Sequence, residues 1–233
     1  MSRIWQTVSV ADVLVVEAAP EYAELVSVVL GRAGHELRVA PNLAAAVTAM
    51  TARMPDLVVL DLALPDGDGL DLCRAIREHS DAHVLVVSGR AEAADTLLGF
   101  RLGADDFVLK PFSGRELAAR VEALLRRPRQ DAAPSAVRVF EGLRIDATSR
   151  EVSVAGNPVE LTRIEFDLLE MMAEHPRTVF TRQQMLDHVW GEGWFGDDHV
   201  VDVHVANLRK KIDVPGRASF VRTVRGVGYS MTL

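Results

Sequence analysis

The sequence predicts an α/β fold, a doubly wound five-stranded parallel sheet, followed by a smaller α+β domain in a winged-helix arrangement. Three observations carry this. Unbroken Val/Leu runs alternate with helical patterns through the first half of the chain. A polar, proline-containing stretch interrupts the pattern near the middle. Beyond it come short alternating segments, three helical patterns and a hairpin-like end.

In the first half the apolar runs are Val13–Val16, Leu57–Leu60, Val84–Val87 and Phe107–Leu109, with a weaker strand near Leu37–Ala40. Runs without polar alternation suit strands buried on both faces, as in a parallel sheet covered by helices. Helical stretches lie between them at about Glu21–Ala33, Leu43–Arg53, Gly69–Glu78, Ala93–Leu102 and Glu116–Arg127. Ser113 and Glu116 have capping-box spacing ahead of the last one. Arg126–Ser135 holds two prolines and little apolar content, so it reads as a linker. The boundaries follow: an extension at 1–12, a first domain at 13–127, a linker at 128–136 and a second domain at 137–233.

Past the linker, Val137–Phe140, Leu143–Ile145, Glu151–Val154 and Pro158–Leu161 alternate between turn residues, which predicts a small antiparallel sheet. Thr162 with Glu165, and Thr181 with Gln184, each place a capping box ahead of a helix. A third helix is expected from about Asp198 to Ile212. Phe220–Val224 and Tyr229–Thr232, around Gly226-Val227-Gly228, form the terminal hairpin.

A chain of 233 residues with 48% hydrophobic and 25% charged side chains has the composition of a folded globular protein with two cores. No cationic start followed by an apolar stretch marks a signal peptide, and no apolar run reaches the roughly 18 residues of a membrane helix. The single cysteine, Cys73, excludes an internal disulfide framework. The simplest compartment is the cytoplasm, without membrane contact. Net charge is −7, which disfavours nucleic acid at first sight. Between Arg209 and Arg225, however, six basic residues meet one acid, Asp213. Such a cluster is a possible footprint for phosphate, although many basic clusters are simply solvated surface.

Glu17, Asp61, Ser88 and Lys110 each follow directly on an apolar run. Ligands of parallel sheets bind outside the carboxyl ends of the strands, so these four side chains should converge on one crevice. Two acids, a hydroxyl and a lysine suit phosphoryl chemistry: a carboxylate nucleophile, a cation for developing charge, and hydrogen-bond donors. Polar residues also stand at strand ends in other α/β domains.

These residues, with Leu64-Pro65-Asp66-Gly67-Asp68-Gly69, Gly103-Ala104-Asp105-Asp106-Phe107 and Lys110-Pro111-Phe112, resemble the receiver domain of two-component response regulators over Val13–Arg127. The resemblance implies that Asp61 is the phosphoacceptor, Ser88 the hydroxyl that follows the phosphoryl group and Lys110 its ion-pair partner. Phe107 takes the place of the aromatic switch residue. It also implies a dimer face holding Leu97, Phe100 and Ala118, with Asp106 and Arg120 as an intersubunit pair. Thr96 stands where an arginine often pairs with the acid represented by Glu116.

One departure bears on the switch. The family usually carries two acids after the first strand, and they hold Mg²⁺ together with the phosphoacceptor. Here Glu17 is followed by Ala18-Ala19, so Glu17 and Asp61 are the only candidate metal ligands. Mg²⁺ binding is expected to be weak or absent, with no other cofactor, and phosphoryl transfer then lacks its main electrostatic support.

Glu160-Leu161-Thr162, Glu165-Phe166-Asp167-Leu168-Leu169, Val200-Val201-Asp202-Val203-His204-Val205 and Arg222-Thr223-Val224-Arg225-Gly226-Val227-Gly228-Tyr229 resemble the OmpR/PhoB subfamily over 137–233. By that resemblance the helix at 198–212 enters the major groove of double-stranded DNA and Arg225 on the wing enters the minor groove. His204, Arg209 and Lys210 are candidate phosphate contacts, which position the protein without reading sequence, and His199, where the family commonly has a basic residue, is a further DNA-binding candidate. Val201, Val205, Leu208 and Ile212 form the core-facing stripe and leave Asn207 off it. Arginines are common in the family where Ala206 and Asn207 stand. Asparagine suits adenine as arginine suits guanine, so Asn207 is the candidate base reader. In the Gly-rich segment Trp190–Asp198, Trp190 is expected in the core, and Trp194 and Phe195 are candidates for contact with RNA polymerase.

The leading expectation is a sequence-specific, dimeric DNA-binding transcription regulator, not an enzyme, that depends poorly or not at all on phosphorylation of Asp61. The alternatives are a conventional phosphorylation-switched regulator served by a sensor histidine kinase, and control by a small molecule in the crevice. A hydrolase using Asp61 would leave the second domain unexplained.

Overall fold

The computed structural model describes residues 10–89, 98–125, 137–191 and 198–232, in two compact units that divide at Arg126/Arg127. Unit one holds strands β1 (Asp12–Val16), β2 (Glu36–Ala40), β3 (Leu57–Asp61), β6 (His83–Ser88) and β7 (Asp106–Leu109), with a two-residue pair β4 (Ala63–Leu64) and β5 (Gly67–Asp68) between β3 and β6. The five long strands are parallel in the order β2-β1-β3-β6-β7. Helices α1 (Pro20–Arg32), α2 (Leu43–Ala52), α3 (Gly69–His79) and α4 (Gly114–Leu125) cover them, and residues 98–101 are also helical. The rest of the expected Ala93–Leu102 helix, with Thr96 and Leu97, lies outside the described residues, as does the linker at 128–136. β3 and β6 are buried along their whole length, as uninterrupted Val/Leu runs require.

Local chemistry fixes the ends of these elements. Asn42 caps α2 by accepting from the Ala45 N–H at 2.8 Å. Asp66, in the turn beyond β3, adds its carboxylate to the same helix start through Leu43 N–H (2.8 Å) and Ala44 N–H (2.9 Å). These N–H groups have no partner within the helix, and they hold the Asp66 carboxyl below its usual range. At Gly69 a Cβ would lie 2.4 Å from the Asp61 carbonyl oxygen, so only glycine lets α3 start this close to the end of β3. The predicted capping box before α4 forms by half. Ser113 accepts from the Glu116 N–H at 3.1 Å, but the Glu116 carboxylate turns to Arg120 instead of the helix start. At the opposite end of the sheet, the Arg77 guanidinium pairs with fully buried Asp105, which also accepts from the Val84 N–H at 2.7 Å. Burial alone would raise the Asp105 pKa; Arg77, His83 and Val84 outweigh it and hold the carboxyl below the carboxylate range.

Unit two opens with an antiparallel sheet ordered β11-β10-β9-β8, from β8 (Val137–Phe140), β9 (Leu143–Asp146), β10 (Glu151–Val154) and β11 (Asn157–Val159). Helices α5 (Arg163–Glu174), α6 (Arg182–Val189) and α7 (His199–Ile212) follow. Both predicted capping boxes form there, Thr162 with Glu165 and Thr181 with Gln184. A cap of this kind contributes about 1 kcal/mol. The core gathers Phe166, Leu169, Met172, Leu186, Trp190, Val201, Val205, Leu208 and Ile212, all nearly excluded from water.

The terminal hairpin has one strand more than the sequence suggests. β12 (Phe180–Thr181) joins β13 (Val221–Val224) and β14 (Gly228–Met231) in the order β12-β14-β13. Two residues are too short to show alternation, so nothing in the pattern announced β12. Gly228 is what admits it: a Cβ there would sit 2.0 Å from the Phe180 carbonyl oxygen. No helix among the described residues is long and apolar enough to cross a membrane.

Candidate functional site

The topology of unit one brings Glu17, Asp61 and Lys110 together at the carboxyl end of the sheet, with Ser88 ending β6 beside them in the strand order. Val16 pairs with Leu60 across β1 and β3, so Glu17 and Asp61 stand side by side at the ends of adjacent strands. β7 ends at Leu109, which delivers Lys110 from the other side of β6. Lys110 Nζ lies 2.5 Å from Glu17 Oε2 and 3.1 Å from Asp61 Oδ2. Ser88 is fully buried, and its carbonyl accepts from the Lys110 N–H at 2.8 Å.

The remaining carboxylate oxygens are also engaged. Glu17 Oε1 accepts from the Ala19 N–H at 2.9 Å, and Asp61 Oδ1 from the Ala63 N–H at 3.2 Å. Burial pushes the Glu17 pKa up, Lys110 and the Ala19 N–H pull it back and Asp61 adds to the rise, leaving it above the ordinary value. Mg²⁺ demands near-octahedral oxygen ligation at about 2.0–2.1 Å. Ala18 offers it nothing, and both oxygens that face the crevice already hold the Lys110 ammonium. Among the described residues no three acidic, histidine or cysteine side chains gather as a metal-binding group. The residues present do not fit the ion as they stand.

The switch and dimer candidates divide. Phe107 is buried against Phe100, ring centroids 6.4 Å apart, and Ala118 is half-buried. Phe100, expected on an apolar outer patch, is only 6% exposed and belongs to the core. Arg120 and Asp106 are the residues expected to pair between subunits. They pair within one chain at 2.9 and 3.0 Å, buried, with Glu116 Oε1 at 3.0 Å as a further acceptor. Leu97 lies outside the described residues. Cys73 is buried, and that burial pushes its thiol up to about 12, away from reactivity at neutral pH.

In unit two the third helix sorts its residues as periodicity requires. Val200, Val201, His204, Val205, Leu208 and Ile212 are buried. His199, Val203, Ala206 and Lys210 recur at i, i+4, i+7 and i+11 along the opposite side, where His199, Ala206 and Lys210 are exposed. Asn207 is half-buried at the flank of that side. His204 is a correction: it is 1% exposed and stacked on Trp190 at 5.7 Å, so it packs the core instead of meeting phosphate. Trp190 is buried there; Trp194 and Phe195 lie outside the described residues.

The basic cluster is thinner than its sequence count. The Arg209 guanidinium donates to the Val221 carbonyl (2.7 and 2.9 Å) and the Thr223 hydroxyl (2.9 Å), which ties α7 to β13. Lys211 pairs with the buried Glu165 carboxylate at 2.8 Å. Lys210, Arg217, Arg222 and Arg225 are exposed, Arg225 beside Gly226, whose φ of 72° forms the turn of the hairpin.

Two groups that sequence reasoning missed shape these surfaces. Asp202, on α7, accepts from Arg182 at 2.7 Å, from the Tyr229 hydroxyl at 2.6 Å, and lies 3.3 Å from His199 Nδ1. Against the cost of burial, these partners hold the Asp202 carboxyl below its usual range, while burial and Asp202 push the Tyr229 phenol up to about 12. The cluster fixes helix to hairpin. Tyr22, on the first turn of α1, lies under the Lys110 ammonium, 4.3 Å from ring centroid to Nζ. Neither set shares a local spacing, so neither could be read from a motif.

Comparison with known proteins agrees with this division. Residues 13–122 match the family described as response regulator receiver domain, and 156–231 that described as transcriptional regulatory protein, C terminal. The chain is 40% identical over 218 residues to the DNA-binding response regulator MtrA of Mycolicibacterium smegmatis, covering 93% of this chain and 95% of the relative. It is 37% identical over 220 residues to the phosphate regulon transcriptional regulatory protein PhoB of Escherichia coli, covering 93% and 96%. Among solved structures, a cysteine-to-serine mutant of RitR has a TM-score of 0.78 at 26% identity, covering 95% of this chain and 99% of its own. The Thermotoga maritima OmpR/PhoB homolog DrrB has 0.52 at 31%, covering 96% and 99%.

Proposed function

The chain belongs to the OmpR/PhoB-type DNA-binding transcriptional response regulators, and from that premise we propose that its receiver is phosphorylated poorly or not at all, so that DNA binding does not wait for phosphate at Asp61. One observation carries the reading. Ala18 removes a carboxylate, and the crevice-facing oxygens of the two remaining acids are held by Lys110. Acyl-phosphate transfer needs a cation shared with the incoming phosphoryl oxygens, and an ammonium bound to both acids is poorly placed to be shared.

The DNA-reading face is α7 with the hairpin as wing. Asn207 reads adenine, Arg225 enters a narrow minor groove, and Lys210 and His199 hold phosphates. Exposure of Lys210, His199 and Arg225 supports these assignments. His204 and Arg209 serve packing. The working form is a homodimer in the cytoplasm, and it makes contact with RNA polymerase. The dimer rests on the family resemblance at Leu97, Phe100 and Ala118; Asp106 and Arg120 pair inside one chain.

A conventional switch, fed by a sensor histidine kinase, is the second reading. It is favoured by the retention of Asp61, Ser88 and Lys110 at the carboxyl ends of their strands and of Phe107 on β7. Incubation with acetyl phosphate and Mg²⁺, read by intact mass and followed by DNA binding, separates the two. The first reading expects an unchanged mass and unchanged affinity. Stoichiometric labelling at Asp61 with a rise in DNA affinity would establish the second.

A further inference from the structure

We propose that Lys110 is the resident cation of the receiver crevice and that Tyr22 is the positioning residue that keeps it there. The inference deepens the reading of a poorly phosphorylated receiver and rests on it.

An ammonium has three N–H donors and no acceptor. Lys110 has three electron-rich neighbours to match: Glu17 Oε2 at 2.5 Å, Asp61 Oδ2 at 3.1 Å and the face of Tyr22, its centroid 4.3 Å away. A cation within about 6 Å of an aromatic centroid is attracted by the ring, more so when desolvated. The Lys110 side chain is 10% exposed and that of Glu17 1%, so little water competes. The ammonium therefore has a complete shell made by the chain itself.

Tyr22 is anchored from two sides. Pro20 opens α1, and the Tyr22 N–H donates to the Ala19 carbonyl at 3.2 Å, which places the ring one turn beyond β1. Phe112, buried two residues past Lys110, stacks on it at 5.6 Å. The segment that supplies the cation also supplies the aromatic that fixes its third wall. A divalent ion entering this crevice has to take both acids from an ammonium that already satisfies them. It gains no carboxylate from Ala18 in return.

The test follows the Lys110 ammonium by ¹⁵N NMR in the full-length protein. A buried, ion-paired ammonium exchanges its protons slowly and gives a signal that solvated lysines lose. The wild-type signal is expected to persist through millimolar Mg²⁺. Tyr22→Phe keeps the aromatic face and is expected to keep the signal; Tyr22→Leu fills the same space without that face and is expected to lose it. The backbone amide spectrum shows which variants fold, and Tyr22→Met replaces Tyr22→Leu if the latter does not. A wild-type signal that moves or vanishes on adding Mg²⁺, or one that survives in a folded Tyr22→Leu or Tyr22→Met, would overturn the proposal. Phosphorylation has its own readout. Labelling of Asp61 while the Lys110 signal withstands Mg²⁺ would sink the reading beneath and leave the resident cation standing. An unlabelled protein whose Lys110 signal yields to Mg²⁺ would do the reverse.

Discussion

In the receiver crevice Ala18 takes an acid out of a set of charges that close on one another: Glu17, Asp61 and Lys110 lie within hydrogen-bond reach and away from water. On α7, Ala206 stands on a side that faces water, between exposed His199 and Lys210. Both alanines stand where the family resemblance leads one to expect charge. In the crevice the remaining charges compensate inside the chain, so their energetic role is in the fold. On the proposed reading face Lys210 and Arg225 are exposed and, on that reading, meet their anions in the DNA. A buried charge set loses much when one member goes; exposed charges lose little until the partner arrives.

Lys110→Met is the sharpest way to break this contrast. It leaves two buried carboxylates facing each other, and breaking such a pair costs roughly 3–5 kcal/mol, toward the lower figure because Glu17 can take up a proton. Arg225→Ala, at an exposed position on the hairpin turn, is expected to leave stability within about 0.5 kcal/mol and to weaken DNA binding. Denaturant titration of the two variants and anisotropy on one duplex check both halves. A stable Lys110→Met protein would mean that the crevice is as open as the reading face.

The two regions also differ in how much of them the sequence discloses. Strands β1, β3, β6 and β7 are legible because burial on both faces demands uninterrupted Val/Leu runs, and Glu17, Asp61, Ser88 and Lys110 are legible because they end those runs. The α7 stripe is legible from period alone. What periodicity cannot tell is whether a polar residue beside the stripe is turned inward. His204 neighbours Val205 and packs on Trp190; Arg209 neighbours Leu208 and spends its donors on β13. Tyr22 and β12 were hidden for a related reason, since each depends on a contact made across the chain and marked by no local spacing.

Opposite ends of the pH scale should loosen opposite units. Asp105 has its pKa depressed by Arg77, His83 and Val84, so its contribution is present above the unfolded value near 4 and is lost as pH falls below it. Tyr229 has its phenol raised to about 12, so its contribution is present below the unfolded value near 10 and disappears as pH climbs toward 12. The second shift corresponds to roughly 3 kcal/mol at most. Circular dichroism melts of the separate units, with Asp105→Asn and Tyr229→Phe as references, would show it. An alkaline loss that persists unchanged in Tyr229→Phe removes the phenol from the account.

Asn207→Ala tests whether the reading face discriminates. Bidentate contact to adenine is worth about 1–3 kcal/mol at one base pair. Competition among duplexes from a selected pool should show the loss confined to a single position. Equal loss at every sequence would make Asn207 a backbone contact, which its half-buried place at the flank of α7 also allows.

Lys210→Ala has the smallest expected effect and completes the contrast. Lys210 is exposed, between the reading side of α7 and its last turn, where a phosphate contact releases one counterion. Its loss should weaken binding alike on all duplexes and reduce the slope of log affinity against log salt by about 1. Lys211, one residue on, is paired with buried Glu165 and offers a control. Lys211→Ala should cost stability and leave the salt slope nearly unchanged, because its charge is already answered within the chain. Equal slopes for the two variants would show that the division between charges used in folding and charges kept for DNA fails even on neighbouring residues of one helix.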